Sequence, residues 1–226
     1  LGYLVERLRS NNIGSGTGVH LDPDLRREQH RDTERSWRPL FGQSDAAERH
    51  LEKQGLDAGD LFLFFGWFRQ VDDCFSYKRS APDLHMLWGW LQVDCYFDPM
   101  REEPEWAKHH PHCIRKNRKH NRIYVGRKSL TFASTKPGAG AFRECHPRLR
   151  LTDDVSKVRS DWRLPVFFRA GLTYHRNATW KLSGQYVKVR SASIGQEFVF
   201  HTKGHERAVG EWLGKLFADV PSGESY

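Results

Sequence analysis

Three histidines crowd into His109-His110-Pro111-His112, and Cys113 follows at once. Imidazole and thiolate are common metal ligands, so this run is a first candidate for metal binding. Adjacent side chains diverge, Pro111 marks a loop, and Lys108, Arg115 and Lys116 flank it. The same run therefore also reads as a solvated basic turn, or as a grip on phosphate. Further back, His20-Leu21-Asp22-Pro23-Asp24 places a histidine and a carboxylate two residues apart. With one distant histidine, that is the donor set of a non-haem iron facial triad. His112 and His175, the latter in Leu172-Thr173-Tyr174-His175-Arg176, are the candidate distal partners, and nothing in the sequence chooses between them. The structural alternative is that Asp22-Pro23-Asp24 forms a turn and caps a polar helix. His20, Asp22, His112 and His175 thus form the metal-linked polar set, with a divalent metal such as iron as the cofactor it would hold. The chemistry would be activation of water or oxygen.

Other chemistries find less support. His85 lies in an apolar run and reads as a satisfied core histidine. No Gly-x-Ser-x-Gly elbow and no Gly-x-Gly-x-x-Gly after a strand occurs, which disfavours a serine hydrolase and a dinucleotide-dependent dehydrogenase. The Gly-rich stretch 11–18 lacks the Lys-Ser/Thr of a phosphate-binding Walker loop, so 10–19 reads as a flexible linker. Cysteines at 74, 95, 113 and 145 form no Cys-x-x-Cys pair, against a paired-thiolate zinc site. With no signal peptide and no apolar run long enough to span a bilayer, the expected location is a reducing cytoplasm, away from membranes.

The elements that must position these groups are readable from periodicity. Leu1, Leu4, Val5 and Leu8 form a helical stripe over 1–9, and the chain opens inside it, so native residues are expected upstream. A second helix is expected over 44–54, with Ser44 as N-cap and Gly55 as its stop. The aromatic run 59–68 predicts a strand, and 84–97 its antiparallel partner. Gly66 and Gly89 interrupt them, as bulges often do. Further strands are expected at 122–125, 164–174, 186–189 and 197–201. A closing amphipathic helix is expected over 204–218, where Ala208, Val209, Trp212, Leu213, Leu216 and Phe217 recur at helical spacing.

The 226 residues suffice for a single domain with its own core. The fold class is α+β, with a mostly antiparallel sheet flanked by helices. Lysine and arginine number 36 against 28 acids, giving a net charge of +8, which favours anionic partners. Eight tryptophans and fourteen phenylalanines add stacking surface beside that charge, though the core must claim many of them.

The segments HLDPDL at 20–25, GDLFLFFGWFR at 59–69, LHMLWGWLQV at 84–93 and HPH at 110–112 resemble nucleotide modification associated domain 3. So do NRIYV at 121–125, RSDWRLP at 159–165, TYHRN at 173–177 and GQEFVF at 195–200, so the likeness runs from about 20 to 217. The resemblance implies a protein of DNA base modification, acting on or recognising a modified nucleotide beside other base-modification enzymes. It brings no catalytic residues with it. A looser likeness links the Gly-Asp turn, the aromatic strand and the strand ending in Asp98-Pro99 to the PUA-like barrels of EVE and ASCH domains. That likeness implies a partly barrel-like sheet and a non-catalytic reader of modified bases. In either case Trp67, Trp88, Trp90 and Trp162 would wall an extruded base, with Arg69 and Arg159 supplying charge. Alternation along 87–91 sets Trp88 and Trp90 on one face.

Overall fold

The computed structural model describes residues 6–8, 14, 16–18, 22–26, 37–173, 180–220 and 222–224. In chain order its elements begin with β1 (Leu40–Gln43), α1 (Asp45–Gln54), β2 (Leu61–Phe68), β3 (Leu84–Phe97) and α2 (Pro111–Ile114). There follow β4 (Arg122–Gly126), β5 (Ser129–Leu130), β6 (Ala133–Pro137), β7 (Ala139–Phe142) and β8 (Asp161–Pro165). The chain continues through α3 (Phe168–Gly171), β9 (Leu172–Thr173), β10 (Trp180–Ser183) and β11 (Tyr186–Arg190). It closes with β12 (Glu197–Phe200), α4 (Glu206–Asp219) and β13 (Ser222–Glu224). Of the expected amino-terminal helix, only 6–8 are described, and they are helical.

The main sheet runs β1-β4-β3-β2-β12-β9, with β7 joined to β3 and β13 to β7. Every ladder among the described residues is antiparallel. The expected mixed architecture of helices and antiparallel sheet is thus present; among the described residues the sheet does not close into a barrel, since no described ladder joins β1 to β9. The spine is the β2–β3 pair, whose aromatic-rich sequence suits strands. Its two faces bury different partners. Leu61, Leu63 and Phe65 of β2 pack with Trp162 and Leu164 of β8, Val187 and Val189 of β11, and Val209, Leu213 and Leu216 of α4. Phe62 and Phe64 face the other way, onto Phe41, Tyr124, Leu91 and Leu51 of α1.

The expected helix stops hold in detail only in part. Gly55 ends α1 at φ 71, where its N–H bonds back to Glu52 and Leu51, as a left-handed glycine does. Ser44 occupies the N-cap position but its hydroxyl bonds Asp45 Oδ2 instead of a helix N–H. The single strand expected over 164–174 is broken into β8, α3 and β9. Pro165 has no N–H with which to extend the ladder, and Phe168 turns inward against Trp212, ring centroids 5.0 Å apart.

The predicted interruption at Gly89 is a β-bulge: Phe64 pairs Gly89 and Phe65 pairs Leu87, leaving Trp88 unmatched. A bulge puts two successive residues on one side and so reverses the alternation beyond it. Trp88 therefore lies against Phe64 at 5.5 Å, while Trp90 points to the opposite core against Phe217 at 4.8 Å. The expectation that the two indoles share a face is overturned for this reason.

Candidate functional site

Asp22 is brought to the free edge of β1 by the residues beside it. Asp24 and Leu40 exchange both backbone hydrogen bonds, at 2.8 and 2.9 Å, which pins the 22–26 segment to the strand. The Gly42 N–H then donates to Asp22 Oδ1 at 2.9 Å, and Gln196 Nε2 donates to the Asp22 carbonyl at 2.7 Å. From the other direction, α2 packs on the same strand through Cys113, which is buried with Leu40, Ile123 and Val125. Strand alternation puts Gly42 on the Leu40 face, under the imidazoles of His110 and His112. A Cβ at Gly42 would stand 2.3 Å from the His112 ring and 2.9 Å from that of His110. Only glycine lets the two rings close over the strand.

The result is a compact polar cluster from three distant segments. His112 Nε2 lies 3.2 Å from Asp22 Oδ2, and His110 Nε2 lies 3.7 Å from Asp22 Oδ1. Both imidazoles and the carboxylate are largely or wholly withdrawn from solvent. Buried Asn121 decides the protonation of His112. Its Nδ2 donates to the carbonyls of His112 and Lys116, so its Oδ1 must accept, and it faces His112 Nδ1 at 2.6 Å. Nδ1 therefore carries a proton, and Nε2 meets Asp22 either as a lone pair or, once protonated, as one half of an ion pair. Burial works against the charged imidazole, but the hydrogen bonds to Asp22 and Asn121 and the Asp22 charge outweigh it and raise the His112 pKa. A histidine fixed in this way is equipped to pass a proton or to ligate through Nε2, its far nitrogen being held by a second group.

Across β1 and β4, on the Phe41 face, lies a second buried ionisable network. Glu48 of α1 is fully buried and accepts from the Tyr124 hydroxyl at 2.9 Å on both oxygens. Arg122 Nη1 stands 3.2 Å from the same carboxylate. Burial dominates and pushes the Glu48 pKa up to about 7, although Tyr124 and Arg122 both pull it down. Burial also raises the Tyr124 pKa.

Of the four expected metal-linked residues, Asp22 and His112 come together. His20 and His175 lie outside the described residues. Among the described residues no group of three or more His, Cys, Asp or Glu side chains is arranged to hold a metal ion. The histidine run is not the solvated turn that its basic neighbours suggest: His110 and Cys113 are buried, and only His109 faces solvent. His110 was signalled by the sequence only as part of the run and Asn121 only as part of the NRIYV segment, and Gly42 carried no signal, since their roles depend on a fold that joins residues 22, 42, 112 and 121.

The expected stacking residues scatter. Trp90 and Trp162 are fully buried, their indole N–H groups donating to Pro137 O at 3.1 Å and His85 Nδ1 at 3.0 Å. Neither offers a ring face to a base, which corrects their assignment as nucleic-acid contacts. His85 is the satisfied core histidine expected; burial drives its pKa down to about 4. Trp88 is half-buried and lies beside Gly66. Trp67 is 55% exposed, with the Arg159 guanidinium 4.1 Å above its ring. Arg159 also donates twice to Ser193 O, at 3.2 and 3.1 Å. Arg69 is engaged with Asp83 at 3.1 Å and stacks on Tyr77 at 4.8 Å. Trp67 and Trp88 project from opposite faces of the β2–β3 pair, so the single indole-lined concavity expected from sequence does not form.

No helix among the described residues is long and apolar enough to cross a membrane, and all four cysteines are free thiols. A family model described as nucleotide modification associated domain 3 matches residues 1–201. No curated protein and no solved structure matches the chain.

Proposed function

Because the chain belongs to the nucleotide modification associated domain 3 family, we propose that it acts on a base of nucleic acid, with Asp22 and His112 as its reactive pair. The observation that carries this reading is their approach to 3.2 Å over a side-chain-free Gly42, with the His112 proton fixed at Nδ1 by Asn121. Nothing about core packing demands a carboxylate and two imidazoles there. Withdrawn from water, the pair can take or deliver a proton at a bound base without competition from bulk solvent. The donor set also suits a divalent metal such as iron, held by Asp22 and His112 with His20 and His175 completing the set. Bound there, the metal would supply a Lewis acid beside the base. The chain's own contribution is the orientation of His112 by Asn121 and of Asp22 by Gly42.

The test uses protein purified without chelator. Wild type should carry stoichiometric metal and bind a modified deoxynucleotide, and Asp22→Asn and His112→Ala should lose both. Wild type without metal removes the metal version; unchanged nucleotide binding in both variants removes the site.

A second reading is a metal-independent reader of modified bases, and the exposed Trp67 under Arg159 favours it, since that indole keeps one face free for stacking. Under this reading Trp67→Ala weakens binding to modified DNA, and EDTA leaves it unchanged.

A further inference from the structure

β4 and β7 lie along the same side of β3 as one interrupted strand. Gly126 pairs Val93 and Ala139 pairs Leu91, while between them Gln92 receives Arg127 N–H at its carbonyl and gives its own N–H to Gly138 O. Residues 128–137 leave the sheet at this break and return. The two limbs cross so closely that a Cβ on Gly138 would lie 2.2 Å from the Arg127 carbonyl oxygen. Buried Gln92 plugs the break, its amide bonding Gly59 O and both the N–H and hydroxyl of Thr131. The excursion is therefore a built wall, and the cleft between it and residues 37–39 has a volume of about 810 Å³.

The cleft is cationic. Arg38, Arg127, Lys128 and Lys136 line it against one carboxylate, Asp94. Asp94 clamps the two arginines side by side, Arg38 at 2.6 Å and Arg127 at 3.5 Å. Lys128 and Lys136 meet no carboxylate among the described residues. Hydroxyls of Ser129, Ser134 and Thr135 and the indole of Trp37 complete the wall. By contrast, the cleft holding Arg148, Arg150, Arg163 and Lys215 also contains Asp154 and Glu211, and Asp154 pairs with both Arg150 and Arg163. Excess positive charge with hydroxyl donors and an aromatic edge is the chemistry that receives a phosphodiester backbone. Its volume lies in the range of ordinary ligand clefts, so it would take a strand a short stretch at a time.

We propose that this cleft binds the backbone of a single nucleic-acid strand, so that the substrate is a polynucleotide and not a free nucleotide. The proposal rests on the base-directed reading above and extends it through β1. Arg38 in the cleft and Gly42 under His112 are four residues apart on extended chain, about 13 Å. A strand gripped at the cleft would place a base a few nucleotides away over the Asp22–His112 pair.

Fluorescence anisotropy with a labelled single-stranded DNA, beside a deoxynucleoside monophosphate titration, tests the idea. Lys128→Gln/Lys136→Gln should bind the oligonucleotide roughly tenfold more weakly, with a log–log salt slope shallower by about 1.4, at about 0.7 for each lost phosphate contact. Its monophosphate binding should be unchanged. Lys157→Gln/Lys203→Gln lowers net charge equally and should bind the oligonucleotide like wild type. An equal loss in both double variants overturns the cleft. So does a wild type that binds monophosphate but grips oligonucleotide no tighter, an outcome that leaves the base-directed reading standing. Binding of neither ligand removes both. Binding to phosphatidylserine vesicles with no affinity for DNA assigns the cleft to a membrane and overturns the proposal.

Discussion

Two buried histidines, His85 and His112, sit in opposite chemical worlds within one fold. His85 lies in the aromatic core between β3 and β8, where Trp162 donates to its Nδ1 and burial holds it neutral down to about pH 4. His112 sits over the edge strand β1, where Asn121 demands a proton at Nδ1 and Asp22 favours a second at Nε2. The first has a partner that ends its chemistry; the second has partners that prepare it. Burial alone therefore does not mark a site. What separates the two is whether the neighbours consume the ring's lone pair or leave it aimed at a charged group.

The aromatic side should respond to mutation as a core. Trp90→Ala leaves a cavity among Phe142, Phe217 and α4 and should cost about 3–5 kcal/mol in urea denaturation; a loss below about 1 kcal/mol would mean this indole is not structural. The same region should yield about 1 kcal/mol for Trp162→Phe, which keeps a ring but removes the donor to His85.

A pH comparison sets the Glu48 network against His85. Folded Glu48 keeps its proton up to about pH 7 whereas the unfolded chain releases it near 4.5. The unfolded state then binds fewer protons, so this group makes stability fall as pH rises from 4.5 to 7, by about 3 kcal/mol. His85 acts in reverse: between about pH 4 and 6.5 the unfolded chain binds the proton that the folded chain refuses, so stability rises with pH. The two offset each other over their shared window. Glu48→Gln should uncover the rising limb in denaturation midpoints measured from pH 4 to 6.5; a limb that already rises as steeply in wild type would show that Glu48 is not held protonated.

On the polar side, function should move further than stability. Gly42→Ala drives a methyl group into the His112 ring, and nucleotide binding should fall at least tenfold for a stability loss of about 1–3 kcal/mol. Retained binding would mean the closed arrangement of rings is incidental. The smallest effect belongs to the exposed Trp67: Trp67→Ala should change stability by less than about 0.5 kcal/mol, as surface substitutions do.

Much of the framework was legible because it depends on local rules. The aromatic strands at 61–68 and 84–97, the glycine stop at 55, the bulge at Gly89 and the closing amphipathic helix each follow from side-chain period or backbone sterics. The bulge was foreseen, but its consequence for Trp88 and Trp90 was not, because the reversal of alternation depends on which residue the facing strand leaves unmatched. Trp162 and Trp67 look alike in sequence and differ only in what packs above them. For the site, the pairing of Asp22 with His112 was one of two open options. The Asp24–Leu40 bridge and Cys113 docking α2 onto β1, contacts between segments far apart in the chain, bring His112 to Asp22, while His175 lies outside the described residues. Asn121 and Gly42 emit no signal of their own, since an asparagine and a glycine acquire these roles only from what tertiary structure sets beside them.

On this reading His112, and not the core histidine, meets the base. Long-range proton–nitrogen NMR of the imidazoles tests it directly, following both rings as a deoxynucleoside monophosphate is added. His112 should show a protonated Nδ1, titrate above the ordinary histidine value and shift on ligand addition, while His85 stays neutral and unmoved. A His112 ring that ignores the nucleotide at saturation would contradict the claim.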